Sequence, residues 1–164
     1  MPVHRLENSG WGFESNCFVC EAKNPHGMQL PFFHDDEADV VFAEYTLGDE
    51  FSGAPTYVHG GVTLAVLDEA MAWAAIAIGG KFAVTHETSA TFDYPVRIGR
   101  PYRVEARLTE QAPERFRAEG AVLDAKARPC VRAGCSLVVL SAARAVDALG
   151  TDAEGDDVTY LRDR

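Results

Sequence analysis

The chain has little positive charge. Fifteen Lys and Arg stand against 25 Asp and Glu in 164 residues, which gives a formal net charge of −10. A field of this sign repels the phosphates of nucleic acids and anionic lipid surfaces. Nucleic acid is therefore not expected as a partner, although a local basic cluster could still bind an acidic ligand.

A secretory signal is also lacking. The N-terminal residues MPVHRLENSGWGF contain no basic segment followed by an apolar run of roughly 7–15 residues. We therefore expect a cytoplasmic protein, in which thiols stay reduced rather than forming a disulfide framework. The cysteines in question are Cys17, Cys20, Cys130 and Cys135.

No apolar run of membrane-spanning length is free of charge. The nearest candidate, residues 62–80, carries Asp68 and Glu69 near its middle. Each carboxylate would cost about 2.5–3.5 kcal/mol in a bilayer. We interpret the segment as a core helix and predict no membrane insertion.

Two familiar site motifs are missing. There is no GxSxG segment, so a Ser-His-Asp esterase elbow is unsupported. Cys17-x-x-Cys20 with His26 resembles part of a zinc knuckle, but a structural zinc site needs four ligands. Cys130 and Cys135 fall on a predicted strand. We therefore predict neither a metal nor a cofactor.

The hydrophobic pattern predicts an α+β domain. A helix is expected between the glycine pairs at 60–61 and 79–80. After it the period changes to two, as in Thr88, Ala90 and Phe92, which is typical of strands. Four such strands, separated by the short turns PVRIGRP, QAPER and AKARP, should pair consecutively and antiparallel.

The remaining segments set the predicted domain limits. One or two strands precede the helix, within Met28–Phe33 and Val40–Leu47. Residues 1–27 look like an irregular lead-in, and residues 142–164 look like an acidic, solvated tail. Residues 28–141 would then form an antiparallel sheet of five or six strands curled around a long central helix. This architecture is called the hotdog fold.

The start of the helix carries a resemblance to a known family. His59-Gly60-Gly61, followed by Asp68 nine positions after the histidine, resembles the hotdog-fold acyl-CoA thioesterases of the PaaI-like branch, named for phenylacetate degradation. The segments CFVCEAKNPHGMQLPFF and FDYPVRIGRPYRVEARL extend the similarity over residues 16–141. The resemblance implies hydrolysis of an acyl-CoA thioester to a free acid and coenzyme A, by a homodimer or a dimer of dimers.

The glycine pair and Asp68 are the main catalytic candidates. Gly60 and Gly61 lie where loop becomes helix, so their N–H groups could stabilise an oxyanion, or they could simply start the helix. The resemblance gives Asp68 the catalytic role, as nucleophile or as general base. Glu69 lies about 100° further round the helix and becomes a structural or solvent-facing neighbour.

Geometry points to a second subunit. Gly60 and Asp68 are eight residues apart, which is about 12 Å along a helix axis. An Asp side chain is too short to close that gap. If both groups act on one carbonyl, Asp68 comes from a partner whose helix runs antiparallel beside the first, and the dimer has two equivalent sites.

Two residues around this motif are candidates for supporting roles, and a third position differs from that of some relatives. His59 could orient the loop or the thioester, or it could be a capping or core histidine. Thr85 matches the family position whose hydroxyl holds the attacking water, although Thr is common in strands. Some relatives carry Asn six residues before the histidine, where this chain has Gly53.

Substrate contacts are predicted on two sets of residues. Basic groups for the phosphates of coenzyme A are expected from Arg97, Arg100 and Arg103, unless these are solvated strand ends. An acyl pocket could be lined by Phe51, Tyr57, Met71, Trp73 and Phe82, although apolar residues of this kind are more often core packing.

Two other functions stay open on the same scaffold. One is an acyl-CoA or acyl-carrier hydratase or dehydratase, which needs a His and a carboxylate placed together. The other is a non-catalytic acyl-CoA sensor, since a fold alone does not define an activity.

Overall fold

The structure is a computed structural model that describes residues 2–11 and 15–150. These residues contain seven strands and two α-helices. The strands are β1 (Val3–Leu6), β2 (Phe32–Asp35), β3 (Val40–Tyr45), β4 (Ala83–Phe92), β5 (Tyr102–Gln111), β6 (Arg115–Leu123) and β7 (Pro129–Val139). The helices are α1 (Gly60–Ala77) and α2 (Ala142–Leu149), and 3₁₀ turns occupy Asn8–Trp11 and Asp49–Phe51.

The strands form one antiparallel sheet in the order β1-β2-β3-β5-β6-β7-β4. Helix α1 lies across it and contacts β2 to β7, so the sheet curves around the helix. The predicted α+β architecture, a curled antiparallel sheet around a long central helix, is confirmed. Its helix falls between the two glycine pairs, as expected.

The strand order corrects one expectation. Strand β4 pairs with β7 rather than with β5, the next strand along the chain. The sequence PVRIGRP was expected to be a tight turn, but residues 93–101 are longer than the 2–5 residues of typical hairpin loops. They cross the molecule instead, and β4 becomes an edge of the sheet.

The structure adds one element at each end of the domain. Strand β1 pairs with β2 from Val3↔Asp35 to Leu6↔Phe32, in a segment where the sequence suggested an irregular lead-in, so the sheet has seven strands instead of five or six. Its residues are mostly exposed and give little alternation to detect. Helix α2 buries Ala145 within the segment expected to be a tail, whose residues 151–164 lie outside the described residues.

Helix α1 forms the core because its apolar residues face the sheet. Leu67 and Met71 are fully buried, and burying a side chain of this size stabilises a fold by about 1.5–3 kcal/mol. Gly120 of β6 lets the sheet approach, since a Cβ there would lie 3.2 Å from Leu67 Cδ2. The helix ends before Gly80, whose φ of 66° is left-handed. It has the length and apolarity of a membrane span, but its packing is that of a core helix.

Edge strand β4 is exposed along nearly its whole length. Only Ala83 is buried and Ala90 partly buried, whereas Val84 and Phe92 are 42% and 49% exposed. Long apolar edges are uncommon in soluble proteins because their free N–H and C=O groups invite pairing with another strand. The fold therefore leaves a pairing surface open next to α1.

Candidate active site

The helix start is capped by a histidine ring. His59 Nδ1 accepts a hydrogen bond from the Gly61 N–H at 2.9 Å. In the neutral ring an accepting Nδ1 leaves the proton on Nε2, which is then a donor. Among the described residues the Gly60 N–H has no acceptor. The glycine pair thus offers one open donor at the positive end of the helix rather than two.

Gly53 lies directly against this histidine. A Cβ built on Gly53 would be 3.2 Å from His59 Cα and 3.4 Å from its ring. His59 therefore limits the space for a side chain at position 53. A larger residue at position 53 would press on the backbone that precedes Gly60.

Asp68 is bound by a residue of the edge strand. Thr85 Oγ1 donates to Asp68 Oδ1 at 2.5 Å, and Asp68 is only partly buried. The structure therefore brings together the predicted catalytic carboxylate and the predicted hydroxyl. The bond engages one carboxylate oxygen and leaves the second for other contacts.

A β-bulge gives Thr85 its inward direction. Thr88, Ala90 and Phe92 lie on the inner face, opposite the buried side of β7. Simple alternation would place residue 85 on the outer face. The register shifts between Thr85 and Glu87, and such a bulge re-aims the side chains before it.

The two halves of the candidate site lie far apart on the chain's own surface. Thr85 and Asp68 mark one half. The other half is the helix start, where a Cβ on Gly60 would lie 3.7 Å from the Phe92 ring. Because β4 runs antiparallel to α1, these halves lie towards opposite ends of β4. The eight residues from Gly60 to Asp68 span about 12 Å, so one chain does not bring them together.

Glu69 points away from Asp68, into a partly buried contact with the N-terminal loop. Cys17 Sγ donates to Glu69 Oε1 at 3.3 Å. Burial raises the pKa of Glu69 to about 8, and the neighbouring Cys17 adds to the shift. Glu69 is thus structural rather than solvent-facing. No local pattern in the sequence marks the partner of Glu69, which lies 52 positions away.

A basic cleft lies near the helix start. Arg97 and Arg100 line a cavity of about 500 Å³ together with Lys126 and with Arg128, which is paired with Asp124 in the same lining. Backbone contacts fix its place, because Tyr57 pairs with Arg97 in an isolated β-bridge only three residues before Gly60. Lys126 and Arg128 were missed in the sequence, where their signal was the basic turn AKARP between β6 and β7.

Arg103, the third predicted phosphate ligand, lies elsewhere. Its Nε is 2.7 Å from Glu105 and its Nη1 is 3.3 Å from Glu44. The guanidinium also lies 3.8 Å from the centroid of the Phe42 ring. The structure therefore groups Arg97 with Arg100 but not with Arg103, which two carboxylates already neutralise.

The predicted acyl-pocket residues are spread over the molecule. Met71 and Trp73 are core residues, 0% and 2% exposed. Tyr57 is exposed and stacks under the Arg97 guanidinium at 5.2 Å, and Phe51 O accepts from His59 N–H. Phe82 follows the opposite end of α1. One chain does not assemble these residues into a single pocket.

A central helix inside a curled antiparallel sheet, with a carboxylate on that helix and a glycine turn at its start, defines a hotdog-fold protein. Residues 56–131 match the family model described as the thioesterase superfamily. The predicted resemblance to the hotdog-fold thioesterases is confirmed by this match and by solved structures of similar fold, which include a PaaI protein.

Three solved structures illustrate the similarity. Protein RHA08564, a thioesterase superfamily protein, is 24% identical, with a TM-score of 0.65 over 72% of this chain and 57% of that one. Escherichia coli PaaI, from the phenylacetic acid degradation operon, is 16% identical, with a TM-score of 0.59 over 63% and 74%. Streptococcus mutans smu.793, solved bound to acetyl CoA, is 17% identical, with a TM-score of 0.59 over 62% and 82%.

These three similarities show the fold alone, because each structure is less than 25% identical to this chain. The matched region spans 57% of the length of RHA08564. Among curated proteins, none matches the chain.

Proposed function

We propose that the protein hydrolyses an acyl-CoA thioester to a free acid and coenzyme A, using side chains and water alone. The observation that carries the proposal is the pair formed by Asp68 and Thr85 on the face of α1 next to the open edge strand. A hydrogen-bonded carboxylate beside a hydroxyl can attack the carbonyl or activate a water held there.

The second half of the chemistry is the helix start. Attack on a thioester carbonyl makes an oxyanion, and the Gly60 N–H at the positive end of α1 is placed to stabilise it. A His59 Nε2–H can donate to the same oxygen or to the leaving sulfur. Coenzyme A phosphates would enter the basic cleft, where Arg100 and Lys126 make no ion pair within residues 2–11 and 15–150.

The site is completed by a second copy of the chain. Antiparallel pairing of two β4 strands about a two-fold axis at Ser89 sets Thr88 opposite the partner's Ala90. Because of the bulge, Thr85 then lies opposite the partner's Phe92. Side chains that face each other across an antiparallel pair are about 4.5–5.5 Å apart. This register carries Asp68 to the partner's Gly60 and forms two equivalent sites.

The same register supports the acyl pocket. Phe82 precedes β4 and would lie at the level of the partner's Pro95, near the end of α1 that carries Tyr57 and Phe51. Phe82 of one chain and Tyr57 and Phe51 of the other, which lie at opposite ends of α1 within a single chain, would then line one pocket. We infer a homodimer, or a dimer of such dimers, as the active form.

The test is thiol release from a panel of short, long and aryl acyl-CoA esters. We expect turnover on part of the panel. The Asp68→Asn variant should have a kcat lower by about 10²-fold or more and an unchanged melting temperature. Glu114→Gln, a change at an exposed β5–β6 turn carboxylate, serves as the matched control. Near-normal rates in Asp68→Asn would refute the role of Asp68.

Two other outcomes would reject the proposed activity itself. Saturable acyl-CoA binding without thiol release would indicate a sensor. Loss of enoyl absorbance from crotonyl-CoA without thiol release would indicate a hydratase.

A further inference from the structure

A second cluster of reactive side chains lies beside the candidate active site and has no part in it. The Sγ atoms of Cys17 and Cys20 and a carboxylate oxygen of Glu69 all lie within 4.8 Å of one another. All three residues are partly buried. Cys17 Sγ donates to Glu69 at 3.3 Å, and Asn8 Nδ2 donates to Cys20 Sγ at 3.7 Å.

The loop that carries the two thiols is firmly built. Met28 N–H donates to Phe18 O at 2.7 Å, and Leu30 N–H donates to Val19 O at 2.8 Å. Val19, between the cysteines, is 2% exposed. Gly27 permits this close packing, since a Cβ there would lie 2.6 Å from Phe18 O. The turn therefore holds both sulfurs in place against α1.

The donor set matches a soft divalent cation. Two thiolates and one carboxylate suit Zn²⁺, whose bonds are about 2.3 Å to sulfur and about 2.0–2.2 Å to oxygen. Ligands around such an ion lie well within 4.8 Å of one another. Ca²⁺ and Mg²⁺ prefer sites made wholly of oxygen.

We propose that Cys17, Cys20 and Glu69 bind one Zn²⁺ ion, with water as the fourth ligand. Zn²⁺ binds the thiolate and carboxylate forms of the three groups, so binding releases to solvent the protons that they carry. The ion would fasten the N-terminal loop to α1 at the residue next to Asp68. The sequence suggested no metal because the third ligand comes from the core helix rather than from the vicinity of the cysteines.

Cobalt titration of the metal-free, reduced protein tests the site. Co²⁺ should give a thiolate-to-cobalt charge-transfer band that saturates at one ion per chain, and Zn²⁺ should remove the band. Cys17→Ser and Cys20→Ser should lose the band. Glu69→Gln should weaken Zn²⁺ binding by at least about tenfold, because loss of a mere supporting group already costs roughly 10–100-fold. Cys130→Ala, at a buried thiol elsewhere in the fold, should leave binding unchanged.

Alkylation of the unaltered protein provides a test that needs no variant to fold. With Zn²⁺ present, peptide mapping should show that Cys17 and Cys20 are protected from iodoacetamide, and a chelator should remove the protection. Equal alkylation with and without Zn²⁺ would overturn the proposal. So would a cobalt band that persists in Cys17→Ser, or quantitative formation of a Cys17–Cys20 disulfide in place of metal binding.

Discussion

At the residue scale, the two glycines that start α1 do different things. Gly61 gives its N–H to His59 Nδ1, which fixes the ring and the first turn of the helix. Within residues 2–11 and 15–150 the Gly60 N–H has no acceptor, and Gly60 lies against Phe92 with room for one more carbon. The oxyanion role proposed for the pair therefore depends on Gly60.

Comparing Gly60→Pro with Gly60→Ala distinguishes the effect of losing the N–H from the effect of replacing the glycine. Proline suits the first position of a helix, and His59, with φ −56° and ψ 133°, already has the backbone that precedes proline. The Pro variant should fold and lose about 10²–10³-fold in kcat, the usual effect of removing one oxyanion donor. Alanine keeps the N–H and should retain most activity. The measurement is kcat for each variant. Equal kcat values for the Pro variant and the unaltered enzyme would contradict the oxyanion role of the Gly60 N–H.

The basic cleft yields a second residue-scale prediction. Replacing both Arg100 and Lys126 with Ala should raise KM for an acyl-CoA by about 30-fold, since each lost phosphate contact costs roughly 1 kcal/mol. The same acyl group on N-acetylcysteamine lacks the nucleotide phosphates, so its KM should not change. Arg107→Ala, at an exposed position of β5, is the matched control. An equal rise in KM for both thioesters would place the phosphates elsewhere.

At this scale, contacts between residues a few helical turns apart could be predicted from the sequence. Contacts between residues far apart in the chain could not. The spacing from His59 to Asp68 is local and identified the helix and its carboxylate. Pairing of Glu69 with Cys17 and of Arg103 with Glu44 depends on the packing of elements far apart in sequence. The inward direction of Thr85 required the bulge, which leaves no mark in the alternation of polar and apolar residues.

At the scale of elements, the decisive one is β4. Its free edge is exposed, and its inner face carries Thr85 at one end and Phe92 at the other. The hydrophobic pattern predicted this strand correctly. Its expected pairing with β5 was wrong, because the turn signals of residues 93–101 resemble those of a hairpin. The true pairing with β7 is what leaves the edge open beside α1.

Cysteine cross-linking tests the proposed register. Residues on the two-fold axis of an antiparallel pair have Cα atoms about 4.5–5.5 Å apart, within the range for a disulfide. Ser89→Cys should therefore form an intersubunit disulfide on mild oxidation, seen as a dimer in non-reducing electrophoresis. Thr91→Cys, on the same exposed face and two residues from the axis, should not. Cross-linking at Thr91 instead would mean another register and would separate Asp68 from the partner's Gly60.

At the scale of the whole molecule, the proposed function makes one chain half of a catalytic unit. The fold sets the helix start with its basic cleft at one end of α1 and the carboxylate further along it. No rearrangement within the chain can join them, because both belong to one rigid helix about 27 Å long. A symmetric pair of chains brings the carboxylate of each helix to the helix start of the other chain, so both sites form together.

Subunit mixing tests this composite site most directly. Asp68→Asn and Gly60→Pro chains, each inactive alone, are unfolded together, refolded and assayed for thiol release. A site shared between subunits becomes intact once in every heterodimer, so the mixture should regain about a quarter of the unaltered activity, given random pairing and two equivalent sites per dimer. A mixture as inactive as its parents, although heterodimers have formed, would contradict the account.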